Sequence, residues 1–292
     1  MKVKDNEQNR GSGGMPKRAT LAQARHADPR IPNYANPDEA ASRSRIRRPG
    51  QRWPGFEEVS RLAQIVVLEH GGYANPVIKR GQMHLRSRMG SRKTGRQQVV
   101  EGRGHRDLTM WNEVYPQCLD YNAHPFRIHG QVLDQRFVYF PDHIRLMRSG
   151  EVELIEVKRS PADLDKPGYR DKLGAVAEIV RRGGWNFRIL YHDDIAGPRW
   201  RMRNVEGLYA RRFMLVSRNE QDVVTSFVMR GAETTWADLR DRIAPDDPRR
   251  GNAVIENAIA LGRIDVDLDE RFTDTTILRP LAPMPHNDQI RL

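Results

Sequence analysis

The sequence predicts an α/β protein whose core has the element order α-β-β-β-α-β, followed by a C-terminal unit of two helices and a hairpin. Apolar residues recur at helical spacing in several stretches, such as Tyr169–Arg182. Short alternating stretches bounded by Gly or Pro are typical of strands. A strand, a helix and another strand follow one another between residues 151 and 192, which predicts a parallel, right-handed crossover.

Composition excludes several classes of protein. The chain of 292 residues has no run near the roughly 18 apolar residues that a membrane span needs. Its first residues lack the apolar centre of a signal peptide. The single cysteine, Cys118, excludes an internal disulfide framework and a cysteine-based zinc site. We therefore expect a soluble, cytoplasmic protein with no membrane partner.

The charge is concentrated near the start of the chain. The net charge is +11, and residues 1–52 contain 12 Lys or Arg against 5 Asp or Glu. This stretch has almost no Leu, Val, Ile or Phe, so it is predicted to be a disordered basic tail. Excess arginine favours a polyanionic partner such as nucleic acid, although a solvated tail that only aids solubility is the alternative.

Residues 53–97 are predicted to form a helix followed by a basic linker. Apolar residues at helical spacing predict a helix over Phe56–His70, which Gly71-Gly72 ends. The linker that follows either tracks a phosphate backbone or is simply solvated. Its basic residues are Arg80, Arg86, Arg88, Arg92, Lys93 and Arg96.

The core domain is predicted over residues 98–197. Its expected elements are a helix over 98–115 stopped by Pro116, a strand over 119–129 ending at Gly130, a strand over 135–147, a strand over 151–158 after the Ser149-Gly150 turn, a helix over Tyr169–Arg182 and a strand over 185–192. The Ser149-Gly150 turn makes the second and third strands a hairpin.

A second unit is predicted over residues 205–282, with a tail over 283–292. Residues 222–230 fit either a strand or a short helix, and Thr234 or Thr235 is expected to cap a helix through Ile243. A helix over Asn252–Leu261 and two short strands, 263–267 and 275–281, complete a winged-helix pattern. Arg249, Arg250 and Arg263 are candidates for DNA contact. The acidic turn at Asp265, Asp267, Asp269 and Glu270 would repel phosphate, so a protein partner is favoured for this unit.

Three charged residues carry the predicted chemistry. Glu156 and Lys158 share one face of a strand because side chains at i and i+2 point together. If the hairpin pairs as expected, Asp142 lies near the same end. Two carboxylates and the Val157 carbonyl suit Mg²⁺, with Mn²⁺ as a substitute. Such a metal polarises a phosphate and activates a water molecule, while Lys158 offsets charge in the transition state.

A surface salt bridge is the simpler interpretation of Glu156 and Lys158, and such a pair contributes little stability. The neighbouring sequence favours the interpretation in which these residues bind a metal ion and take part in catalysis. The charged residues interrupt an apolar strand between a hairpin and a crossover, where charges need partners or a metal.

The stretch YFPDHIRLMRSGEVELIEVK (139–158) resembles the core of the PD-(D/E)XK nuclease superfamily, which has a restriction-endonuclease-like fold. Residues 92–195 resemble more specifically the TnsA family, the endonuclease subunit of heteromeric transposases. The similar stretches are RKTGRQQVV (92–100), EVYPQCLDYNAHPF (113–126) and YRDKLGAVAEIVRRGGWNFRILYHDDI (169–195). The unit over about 205–282 resembles the winged-helix domain of that family more loosely.

The resemblance implies residue roles. Asp142 and Glu156 would be metal ligands and Lys158 the catalytic lysine. The family also places a glutamate on the first helix, where this chain has His105. Glu101, four residues earlier on the predicted helix, is one candidate to replace it, about 6 Å away along the axis. His105 itself is the other, although imidazole prefers softer ions than Mg²⁺.

Three functions remain open at this point. The first is an Mg²⁺-dependent DNA endonuclease of the TnsA type, which cuts double-stranded DNA at transposon ends. The resemblance implies a DDE-type transposase subunit and an ATPase regulator as its partners. The second is a stand-alone nuclease of the same superfamily for repair or defence. The third is a DNA-binding assembly protein whose nuclease site has decayed through the change to His105.

Overall fold

A computed structural model describes residues 54–66, 86–95, 97–132 and 135–282 of the chain. Over these residues the protein is mixed α/β. The predicted tails over 1–52 and 283–292 lie outside the described residues, as do residues 67–70 at the end of the first predicted helix. None of the described helices is both long and apolar enough to cross a membrane.

The described residues form eight α-helices and twelve strands. The helices are α1 (Phe56–Leu62), α2 (Arg103–Val114), α3 (Tyr169–Arg182), α4 (His192–Ala196), α5 (Arg201–Arg211), α6 (Arg218–Arg230), α7 (Trp236–Ile243) and α8 (Pro248–Ala260). The strands are β1 (Gln64–Val66), β2 (Arg86–Gly90), β3 (Gln97–Glu101), β4 (Cys118–Ala123), β5 (Arg127–Val132), β6 (Gln135–Tyr139), β7 (His143–Met147), β8 (Val152–Lys158), β9 (Asn186–Tyr191), β10 (Thr234–Thr235), β11 (Ile264–Asp265) and β12 (Ile277–Pro280).

A four-stranded sheet in the order β4-β7-β8-β9 forms the centre of the molecule. The β4-β7 and β7-β8 pairs are antiparallel, whereas β8 and β9 are parallel and joined through α3. With α2 preceding β4, the order of elements around this sheet is α-β-β-β-α-β. The predicted hairpin, crossover helix and final strand are therefore confirmed.

The two faces of this sheet pack against different helices. Successive side chains of a strand point to opposite sides, so the residues of β8 divide between two cores. Val152 and Leu154 belong to a core with Leu173 and Val176 of α3. Ile155 and Val157 pack instead with Leu108 of α2 and Ile195 of α4. Glu156 and Lys158 alternate with Ile155 and Val157 along β8, so their side chains point to the opposite face, that of α3.

The helix predicted over residues 98–115 is wrong at its start. Gly102 adopts a φ of 91°, which is costly for any other residue, and separates β3 from α2. The residues before Gly102 pair with β2 as an antiparallel ribbon. The helical spacing that suggested one long helix comes from α2 alone.

Two predicted strands each divide into two. The stretch 119–129 breaks at residues 124–126, and the stretch 135–147 breaks at residues 140–142. The outer halves, β5 and β6, form a hairpin that belongs to another sheet, in the order β1-β5-β6. Gly130 lies inside β5 rather than at a turn. A Cβ there would lie 2.4 Å from the Phe137 ring, which favours glycine at this position. An alternating pattern does not reveal that a strand changes sheets.

The first predicted helix is also shorter than expected. It ends at Leu62, because Ala63 is extended and residues 64–66 pair with β5. Gly55 and Gly183 bring α1 against the end of α3, where a Cβ on Gly183 would lie 2.1 Å from Val59 Cγ2.

The C-terminal unit contains α6, α7 and α8 together with a small sheet in the order β10-β12-β11. Residues 222–230 are helical, the Thr235 side chain caps α7, and the two short strands pair as predicted. This unit shares its hydrophobic core with Met110 and Val114 of α2. The helix on one face of the central sheet therefore also packs against the C-terminal helices.

Candidate functional site

Asp142, Glu156 and Lys158 come together where β8 ends. Asp142 lies in the turn before β7, and its Oδ2 accepts a hydrogen bond of 2.7 Å from the Val157 amide. The β7-β8 pairing places His143 opposite Ile155, which holds this turn beside the end of β8. The structure thus joins the three residues that the sequence singled out.

Glu156 is buried and accepts three side-chain hydrogen bonds. Its Oε2 accepts from Tyr139 Oη at 2.6 Å, and its Oε1 accepts from Tyr169 Oη at 2.5 Å and from Lys158 Nζ. Lys158 also donates to the Val157 carbonyl at 3.2 Å and lies 5.3 Å from the Tyr169 ring centroid. The Glu156–Lys158 pair therefore exists, but it is not the surface salt bridge of the simpler interpretation.

The two tyrosines were missed in the sequence. Tyr139 ends β6 in the three-stranded sheet, and Tyr169 begins α3 on the other side of the crossover. Neither has a fixed spacing from Glu156. The position of Tyr139 in an alternating stretch indicated burial, but nothing in the sequence indicated its partner.

The pKa values of Asp142 and Lys158 depend on the charge of Glu156. Burial, and then the charge of Glu156, raise the pKa of Asp142 well above its ordinary value, although Lys158 and the Val157 amide act in the opposite direction. Burial lowers the pKa of Lys158, but the charges of Glu156 and Asp142 outweigh it, so the pKa rises. A half-buried and a buried carboxylate therefore face one protonated lysine.

Three histidines adjoin these charges. The ring centroid of His105, in the first turn of α2, lies 5.9 Å from that of His124 and 5.8 Å from that of His143. Burial lowers the pKa of His105 to about 3 and that of His124 to about 4, and it lowers that of His143 well below the ordinary value. All three rings are therefore neutral near pH 7.

The histidine rings are poorly satisfied. Nδ1 of His105 and both ring nitrogens of His124 and His143 are buried without a hydrogen-bond partner. His124 is also held with a φ of 48°, unusual for a residue other than glycine. Its backbone amide donates to the Asp142 carbonyl at 2.9 Å, which ties the histidines to the carboxylate turn.

Of the two candidates to replace the expected glutamate, only His105 lies on α2. Lys158 contributes to the low pKa of His105, which shows that the ring lies in the field of the site. Glu101 was predicted to lie on the helix, but it is the last residue of β3 and pairs with Arg86 of β2. No described hydrogen bond or ion pair joins Glu101 to Asp142, Glu156 or Lys158, and its Oε1 is buried without a partner.

The donor set fits a divalent metal ion. Within the described ranges, no group of three His, Cys, Asp or Glu side chains is arranged to hold a metal ion. Asp142 and Glu156, however, offer a half-buried and a buried carboxylate beside the Val157 carbonyl, and burial followed by the charge of Glu156 raises the pKa of Asp142. Oxygen donors completed by water are what Mg²⁺ and Mn²⁺ accept.

The basic linker is partly structural. Lys93 is half-buried, and its Nζ donates to the carbonyls of Asn112 at 2.8 Å and Tyr115 at 2.7 Å, where α2 ends. Arg92 donates to the Arg212 carbonyl at 2.8 Å. Arg88 is exposed, and Arg80 and Arg96 lie outside the described residues.

Two of the three candidate DNA contacts of the C-terminal unit, Arg250 and Arg263, have partners within the protein. Arg250 pairs with Glu220 at 2.6 Å, and Arg263 donates to Thr225 Oγ1 at 2.6 Å. In the acidic turn, Asp269 pairs with Arg201 at 2.5 Å. Internal ion pairs therefore occupy part of both the basic and the acidic groups of this unit.

Comparison of the chain with protein-family models and with curated proteins finds no match.

Proposed function

We propose that the protein is an Mg²⁺-dependent DNA endonuclease with a restriction-endonuclease-like core. The observation that carries the proposal is the junction of Asp142, Glu156 and Lys158 at the end of β8. The order α-β-β-β-α-β around the central sheet supports it, because this is the order expected from the resemblance of residues 139–158.

The residues of the site have separable roles in this proposal. Asp142, Glu156 and the Val157 carbonyl would hold Mg²⁺, which polarises the phosphate and acidifies a bound water. Lys158 stays protonated and places a fixed positive charge where negative charge develops on the phosphate. Tyr139 and Tyr169 fix the Glu156 carboxylate from two elements, so its oxygens need little reorganisation during the reaction.

The finer assignment rests on the resemblance to the TnsA family. It proposes cutting at transposon ends together with a DDE-type transposase subunit and an ATPase regulator. The helices and hairpin of the C-terminal unit follow one another as in a winged helix, and we propose a protein partner for that unit.

The test separates metal binding from cutting, because cutting can require a partner. Manganese binding is measured by electron paramagnetic resonance, and cleavage of duplex DNA is measured with and without chelator. We expect Asp142→Asn to weaken Mn²⁺ binding and Lys158→Met to reduce cleavage by about 10²–10³-fold. The control, Asp165→Asn, changes an exposed carboxylate and should alter neither. Full cleavage by both site variants contradicts the proposal.

A decayed nuclease that still binds DNA is the second candidate. The specific observation in its favour is His105, because a neutral imidazole stands where the resemblance expects a glutamate. Duplex binding by a protein that takes up no Mn²⁺ would favour this candidate.

A further inference from the structure

Three arginines surround the indole ring of Trp200, directly before α5. The Cζ atoms of Arg199 and Arg203 each lie 5.2 Å from the ring centroid, and that of Arg271 lies 5.5 Å from it. We call these four residues the Trp200 cluster. Arg271 comes from a part of the chain about 70 residues away, so the fold, rather than local sequence, assembles the cluster.

The cations of this cluster lack counterions. Among the described residues, no carboxylate lies within ion-pair distance of Arg199, Arg203 or Arg271, and all three are exposed. The neighbouring Arg201 behaves differently, since it is bound to Asp269 through two hydrogen bonds. Three like charges around one ring repel each other, which an external anion would relieve.

The Trp200 cluster lies near the candidate site. Tyr191, the last residue of β9, is paired with Lys158, and α4 follows directly. Ile195 of α4 packs with Val157 and Leu108. Trp200 is five positions after Ile195, so the chain can place their Cα atoms at most about 18 Å apart. This is less than one turn of duplex DNA, which is about 34 Å long.

We propose that the Trp200 cluster binds the phosphate backbone of the DNA duplex that enters the candidate site. This inference rests on the proposed function and names the surface that positions the substrate. Guanidinium groups match phosphate geometry, and the indole face holds them through cation–π contact. Adjoining cations suit a polyanion, because every neutralised phosphate releases counterions. The contacts position the duplex without reading its sequence.

The test is the salt dependence of duplex binding in chelator, where no cleavage occurs. A variant with Arg199→Gln, Arg203→Gln and Arg271→Gln is compared with one carrying Arg181→Gln, Arg182→Gln and Arg211→Gln. The second set removes the same charge from the C-terminal ends of α3 and α5, where each arginine already pairs with a carboxylate of the protein. Affinity for a duplex of roughly three helical turns is measured between about 50 and 200 mM salt.

We expect the Trp200 variant to lose about 0.9 of salt slope for every phosphate contact removed, up to about 3 in all, while the control keeps the wild-type slope. Circular dichroism checks that both variants fold. Any of three results overturns the inference: an unchanged slope in the Trp200 variant, equal losses of slope in both variants, or no duplex binding by the wild type. A specific loss of slope in a protein that binds no Mn²⁺ contradicts only the nuclease.

Discussion

Asp142 lies where the chain leaves the three-stranded sheet and enters the central one. Its carboxylate is fixed by the Val157 amide, and its backbone carbonyl accepts from the His124 amide. Burial and the charge of Glu156 favour the protonated acid there. The residue best placed to bind a metal ion is therefore one that costs stability while no metal is bound.

This cost makes a testable prediction for Asp142→Asn. The folded protein binds the Asp142 proton more tightly than the unfolded chain does, so the wild-type unfolding free energy falls as the pH rises above 3.8. Asparagine keeps the acceptor for Val157 and removes the charge. In chelator at pH 7 the variant should melt higher, by about 2–4 °C for every kcal/mol gained, and the difference should vanish below the ordinary pKa.

Mg²⁺ should reverse this order, because ligand binding stabilises the wild type and not the variant. Thermal melting across pH, with and without Mg²⁺, measures both effects. Asp165→Asn serves as the control, since that carboxylate is exposed. A variant that is less stable than the wild type at pH 7 in chelator would show that the Asp142 charge is compensated without metal.

The residues of the site were predictable only where they lie close together in the sequence. Glu156 and Lys158 follow from strand spacing, and Asp142 follows from the hairpin. Tyr139, Tyr169 and His143 come from three separate elements, His124 lies in the connection after β4, and the four have no common spacing in the sequence. Glu101 was misplaced because Gly102, which ends the strand before α2, looks like any other glycine in a basic stretch.

At the scale of elements, α3 carries two glycines with opposite roles. Gly174 lies within the helix, where an added Cβ would meet no atom within 4 Å. Gly183 ends the helix with an ordinary φ of −82°, but an added Cβ would lie 2.8 Å from the Val59 backbone nitrogen. Space, rather than backbone conformation, therefore decides which of them can change.

We expect Gly174→Ala to stabilise the protein by about 0.5–1 kcal/mol, because alanine favours the helix. Gly183→Ala should destabilise it by about 1–3 kcal/mol, since α1 must move away from α3. Urea unfolding of both variants measures the two free energies. Equal effects of the same sign would show that the contact between α1 and α3 is not tight in solution.

The type of each element was predictable from the spacing of its apolar residues and from the Gly and Pro residues that bound it, as α3 and β8 illustrate. The boundaries failed where the chain changes sheets. Between β4 and β5, and between β6 and β7, the alternating pattern continues although the hydrogen-bonding partner changes. Which sheet a strand joins depends on contacts distant in sequence, and a periodic pattern does not contain them.

At the scale of the whole molecule, α2 connects the central sheet to the C-terminal helices. Leu108 packs toward the sheet, whereas Met110 and Val114 belong to the core with Leu239 of α7. His105 lies on the same helix. Loss of packing in the C-terminal unit should therefore reach the first helix of the candidate site.

Leu239→Ala tests this coupling. Removal of a fully buried leucine costs about 2–5 kcal/mol. Hydrogen exchange should accelerate in α2 as well as in α7 and α8, because they share one core. Leu173→Ala, in the core on the α3 face, is the matched control and should accelerate exchange in α3 first. Unchanged exchange of α2 in Leu239→Ala would show that the C-terminal unit opens independently.

The phenol groups that hold Glu156 have an optical consequence. Burial and the Glu156 charge raise the pKa of Tyr169 to about 12 and that of Tyr139 well above its ordinary value. A cation that neutralises Glu156 removes part of this effect, so both phenols should ionise at lower pH. Near pH 7 both phenols stay protonated, but their near-ultraviolet absorbance depends on the hydrogen bonds that they donate to Glu156, so binding of a metal ion to this carboxylate should be visible by difference spectroscopy without any substrate or partner.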